Sequence, residues 1–152
     1  MTVANTANNV TGNSPHTAMA QRCVIVLDKA LAIGKAANAA AVLALTLGQR
    51  QPGLVGAPLT DASGASHPGL IPIGIAVLAA GADEFGAIRA AAIAAACDVV
   101  DFPLLGQQTT DYASLLAAVA AVPTAELRYV GLALLGEKKA VAKLVAHLGL
   151  LK

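Results

Sequence analysis

The sequence predicts an α/β fold, a three-layer α/β/α sandwich, and three observations point to it. Apolar runs of strand length alternate along the chain with periodic segments of helix length, an order that sets helices against a sheet. Cys23 to Leu27 is an unbroken apolar run, as a strand covered on both faces requires. Gly34 and Lys35 then lead into Ala36–Leu47, which is apolar except for Asn38 and Thr46. A helix with no wet face is expected to be buried.

The remaining elements follow in order. Residues 49–70 carry too many turn formers for a helix, and a loop or small hairpin turning at Ala62–Gly64 is expected there. Ile71–Ala79 reads as a second core strand, with Pro72 tolerable only near its start. Asp83 is placed to cap a helix whose Phe85, Ile88 and Ala92 share a face. Val99–Phe102 is a short strand. Asp111–Val122 is a helix capped by Thr109, Thr110 or Asp111 and stopped by Pro123, with Tyr112, Leu115, Leu116 and Val119 at helical spacing. Leu127–Leu135 is the last strand, and Glu137–Leu148 closes the chain as a helix with Val141, Leu144, Val145 and Leu148 turned inward.

Composition bounds the function. Of 152 residues, those after Gln21 form one domain, 22–152, long enough for a core of its own. Residues 1–21 are rich in Asn, Thr and Ala, lack a charged start and a continuous apolar stretch, and are expected to be a flexible tail rather than a secretion signal. The hydrophobic content of 57% raises a membrane reading. The uncharged stretch Ala62–Ala82 is nevertheless broken by Pro68, Pro72 and several glycines and cannot span a bilayer. Ten basic residues against nine acidic ones, with no Trp, argue against strong nucleic-acid binding. Cys23 and Cys97 have neither metal nor redox spacing, so a reducing cytoplasm is expected and no cofactor is implied.

The strand followed by IGKAANAAAVLAL resembles the opening of the type II peptidyl-tRNA hydrolase fold, which carries a similar strand, a GKGK-type turn and an alanine-rich helix. The ending YVGLALLGEKKAVAKLVAHLGLLK resembles that fold's last strand and helix. The runs LTDASGASHPGLIP, VVDFPLLGQQTTDY and HLGLLK are similar to a bacterial domain-of-unknown-function family assigned to the same fold. The resemblance spans Arg22–Lys152 and implies a four-stranded mixed sheet with one antiparallel strand and helices on both faces. Lys35 matches the hydrolases' turn lysine. Their helix glutamine is replaced by the shorter Asn38, and their histidine one turn on by Ala41 or Val42. Their Asp-x-Gly-x-Thr motif before the last strand is missing, since Thr124–Leu127 reads TAEL and the nearest Thr110 and Asp111 stand in the wrong order. Loss of a positioned proton-transfer partner costs a hydrolase ~10²–10⁴-fold.

The candidate residues each have two readings. Lys35 is either a solvated turn lysine or, at a helix start where a cation is locally unfavourable, a group waiting for an anion together with the N–H groups of Ala36 and Ala37. Asn38 either satisfies a neighbouring backbone group or faces a ligand. Asp61 and His67 flank a Ser-Gly turn and are either a turn carboxylate and an exposed imidazole or a pair in which Asp61 orients His67 as a general base. One His and one Asp are too few for zinc, so no metal is expected. His147 is expected to meet free carbonyls at the end of the last helix. Asp111 is a helix cap or a ligand contact, and Tyr112 a core residue or a pocket wall.

Together these give a small anionic or polar ligand bound between the Gly34–Lys35 turn with Asn38, the Asp61–His67 loop and the Thr109–Tyr112 segment, Thr110 and Asp111 included. Lys35, His67 and Asp61 are the catalytic candidates should the protein be an enzyme. The alternatives are a peptidyl-tRNA or related ester hydrolase with rearranged catalytic groups, and a scaffold that self-associates, as a homodimer, through surplus apolar surface.

Overall fold

The computed structural model describes residues 20–152, so the expected tail lies outside the described residues as far as residue 19. Gln21 belongs to the domain instead, as the first residue of strand β1 (Gln21–Asp28). Helix α1 follows (Ile33–Arg50), then a two-residue hairpin of β2 (Leu59–Thr60) and β3 (Ser66–His67). Next come β4 (Ile75–Ala80), α2 (Phe85–Ala94), β5 (Asp98–Pro103) and α3 (Tyr112–Ala120). The chain ends with β6 (Tyr129–Glu137), α4 (Lys138–Leu144) and β7 (Gly149–Leu150).

Five strands form one mixed sheet in the order β5-β6-β1-β4-β7, and β2 and β3 pair apart from it. β1 and β4 run parallel, β6 runs against both β1 and β5, and β7 runs against β4. The expected four-stranded sheet is therefore corrected to five. The extra strand arises because α4 stops at Leu144 rather than Leu148, turns through Leu148 N–H to Val145 O at 3.0 Å, and returns along β4. That return covers an edge whose backbone groups would otherwise lie open.

β1 shows why its apolar run is continuous. Val24 and Val26 join Phe85, Ile88 and Ala92 of α2 and Val141 of α4 in one core, while Cys23, Ile25 and Leu27 join Ala36, Ala39, Leu43 and Leu47 of α1 in another on the opposite face. A methyl built on Gly131 of β6 would lie 2.9 Å from Leu43 Cδ1, so the strand approaches α1 closely here because it presents no side chain.

Burial of α1 departs from expectation. Only Ala36, Ala39, Leu43 and Leu47 are buried, while Ile33 is 82% and Leu45 77% exposed. Alanine-rich composition makes a helix regardless of burial, and among the described residues nothing covers its outer face. β4 begins at Ile75 rather than Ile71 because Pro72 and Gly74 interrupt the ladder, although Ile71 and Ile73 still pack towards α1. Asp83 makes no cap contact. Glu84 instead accepts the Gly81 N–H at 2.6 Å and meets His147 Nε2 at 3.3 Å, so His147 faces a carboxylate rather than helix carbonyls.

Candidate functional site

The turn after β1 is built by Asp28, whose Oδ1 accepts the Ala30 N–H at 2.9 Å while its carbonyl accepts from Leu31 N–H. The helix then starts at Ile33, three residues before the expected Ala36. Ala36 N–H is thereby already bonded to Ala32 O at 2.9 Å, and the donors without a partner among the described residues are those of Ile33, Gly34 and Lys35 rather than Ala36 and Ala37. The N-cap is Ala32, which has no side-chain acceptor, and the first turn carries no acidic residue. Lys35 therefore adds a cation to an uncapped, electropositive helix end.

Opposite this end, the chain leaves β5 through a short helical turn, 104–107, fastened by Leu104 N–H to Arg128 O at 2.8 Å and by Thr109 Oγ1 to Leu105 O at 3.0 Å. Gly106 sits where a methyl would fall on the Phe102 ring, so the turn folds this tightly with the ring in place because glycine has no side chain. Gly34, Lys35, Asn38, Gly106 and Gln107 thus line one cleft of about 290 Å³. Gln107 Nε2 is shut off from solvent and has no acceptor among the described residues.

The expected three-part pocket is divided. Gly34, Lys35 and Asn38 are brought together, but Asp61 and His67 do not line their cleft. α1 runs ~27 Å from its first residue to its last before the hairpin begins. Within the hairpin the pair does form, with His67 Nε2 3.2 Å from Asp61 Oδ2. Asp61 also accepts from Ser63 N–H and Ala65 N–H in a turn completed by Gly64 at φ +84°. The Ala65 bond first, then His67 and Ser63, hold the Asp61 carboxyl below its usual range. Both side chains are exposed.

Asp111 caps α3, accepting Ser114 N–H at 2.8 Å and Ser114 Oγ–H at 2.6 Å, and Thr110 before it is exposed. Tyr112 is 74% exposed and lines a second, apolar hollow of about 310 Å³ between α1, β5 and α3. Gly106 and Gln107 have a weak signal in the sequence, a Gly-Gln-Gln run following the apolar Pro103–Leu105. No cluster of three or more His, Cys, Asp or Glu suited to a metal occurs among the described residues, and none of their helices is long and apolar enough to cross a membrane.

A mixed five-stranded sheet with helices on both faces, and a cleft at the start of its first helix, defines an α/β domain protein. Residues 21–152 match the DUF2000 family, described as proteins of unknown function, and the chain belongs to that family. It is also similar in fold to a solved protein of unknown function from Agrobacterium tumefaciens strain C58. The two share 19% identity and a TM-score of 0.77 over 86% of this chain and 97% of the other. Among curated proteins there is no significant match.

Proposed function

We propose that the protein binds a small anionic or polar ligand in the cleft at the Lys35 turn. The observation that carries this reading is a set of donors without acceptors. The N–H groups of Gly34 and Lys35 and the Lys35 ammonium border one cleft, Gln107 lines its other side, and among the described residues no carboxylate lines it to neutralise them. Asn38, one turn after Lys35, adds an amide on the same flank of α1. Calorimetric titration with inorganic phosphate and with acetate tests it: wild type binds one of them at one site, and Lys35→Ala weakens that binding by about tenfold or more. Equal affinity of the two proteins for both anions would reject the site.

The resemblance to the type II peptidyl-tRNA hydrolases supports relating the domain to their three-layer frame, with β7 as an added edge strand. Their chemistry does not follow from it, because the cleft is lined by Lys35, Asn38 and Gln107 without an imidazole or carboxylate to exchange a proton. We take the site to work in a reducing cytoplasm, in keeping with two free cysteines. Self-association is a second reading, favoured by the exposed Ile33 and Leu45 on the outer side of α1. Light scattering at rising concentration tests it, and a strict monomer would remove it.

A further inference from the structure

The polar cleft and the apolar hollow are neighbours along one helix. Lys35, Asn38, Val42 and Thr46 stand three to four residues apart on a single flank of α1; the first two line the cleft and the last two the hollow. From Asn38 to Val42 the helix rises ~6 Å, and from Lys35 to Thr46 ~16 Å. The facing walls adjoin as well. Phe102 lines the hollow, and its ring lies directly against Gly106, which lines the cleft. The chain passes from the hollow at Pro103 to the cleft at Gln107 and back to the hollow at Tyr112.

The two ends differ in chemistry in a graded way. At the helix start are a cation and unpaired donors; one turn further the walls are Val42, Phe102, Leu115, Leu116 and Val119. Val42 is 41% and Leu116 58% exposed, so apolar area stands open to water beside a site that calls for negative charge. A ligand that answers the first end alone would leave the second wet.

We infer that the ligand is an amphipathic anion, with a phosphate or carboxylate head at the Lys35 turn and an apolar chain lying between α1 and α3. This rests on the anion reading above and adds the class of molecule. The chain's methylenes replace water against Val42 and Leu116, while the head meets Lys35 and the helix N–H groups. Specificity then resides in length and in charge at one end only.

Calorimetry with two homologous series, inorganic, butyl and octyl phosphate and acetate, butyrate and octanoate, all below micelle formation, tests the inference on the full-length protein. Octanol is the neutral control. Affinity is expected to rise within the preferred series by up to about fourfold per buried methylene. Val42→Ser is expected to cut octyl binding by tenfold or more while leaving the short anion unchanged, and Lys35→Ala to weaken every member. Leu116→Ser repeats the Val42 test on the other wall, and thermal melts confirm that each variant folds.

Binding that is independent of chain length overturns the inference while the anion reading stands. Loss of neither head nor chain selectivity in any variant overturns it too. Octanol binding as tightly as octyl phosphate or octanoate, with Lys35→Ala without effect, overturns both. Absence of binding by every anion, short and long, also overturns both.

Discussion

Gly131 offers a quantitative test of how the sheet holds α1. A methyl group there would fall 2.8 Å from Leu27 Cδ2, 2.9 Å from Leu43 Cδ1 and 3.1 Å from Val26 O, all inside the 3.5–4.0 Å at which carbon contacts are favourable. Two of the three neighbours are ends of leucine side chains that can turn aside, while the strand carbonyl has less room to yield. Overpacking of this kind costs about 1–3 kcal/mol, and removing a glycine from the unfolded chain returns about 0.4–1 kcal/mol. Gly131→Ala is thus expected to destabilise by about 1 kcal/mol. Leu43→Ala alone should cost about 2–5 kcal/mol, towards the lower end because Leu43 also borders the open hollow beside α3. Combined, the new methyl enters space that Leu43 has left, and the two changes should cost about 1 kcal/mol less than their sum. Urea unfolding followed by far-ultraviolet circular dichroism on the four proteins measures this, provided their slopes agree. A cycle that closes within ~0.3–0.5 kcal/mol, or a Gly131→Ala protein more stable than wild type, would refute the close approach of β6 to α1.

Three further outcomes are expected. Ala96 closes α2 at φ 55°, with Cys97 N–H bonded to Ala92 O, so Ala96→Gly relieves left-handed strain and should raise stability by about 0.5 kcal/mol after the unfolded-state loss; a lowered melting temperature would contradict this. Asp98 accepts from Arg50 Nε and Nη2 and from Gln51 Nε2, and the Arg50 bonds chiefly hold its carboxyl below the usual range. A depressed folded pKa means stability present above the unfolded value of ~3.9 and lost as pH falls through the folded one, so Asp98→Asn should flatten the acid decline measured by melts below about pH 4. Burial pushes the Cys23 thiol up to about 11, and it should resist iodoacetamide at pH 8 until the chain unfolds; prompt labelling of the native protein at Cys23 would show an opening of β1.

Much of the fold was legible because period and composition report burial on two faces. Cys23–Leu27 announced a strand covered on both faces, and the turn at Ala62–Gly64 announced a loop or small hairpin, of which the chain forms the hairpin. What escaped was whatever depended on distant partners. Gly149 and Leu150 have no strand signature of their own and become a strand because β4 has a free edge. The alanines of α1 could not say whether their outer face would be covered. At the site, Lys35 and Asn38 were legible through local spacing, whereas Gly106 and Gln107 reach the same cleft from some seventy residues away by the path of β5. Asp61 and His67 found each other, as turn neighbours do, but not Lys35.

The pairing of β1 with β6 also sets a timetable for the nascent chain. Ile25 lies opposite Ala133, and every other rung between these two central strands joins residues about a hundred or more positions apart. At ~5–20 residues per second, a ribosome needs roughly 5–20 s to deliver β6 after β1 has emerged. Through that interval β4 is the strand available to pair with Cys23–Leu27, beside the helices α1 and α2 that pack on its two faces, and the sheet's middle stays unzipped. Folding of this domain is therefore expected to be late and abrupt rather than progressive. Chaperone dependence should then track translation speed in the second half of the message more than the melting temperature of the finished protein.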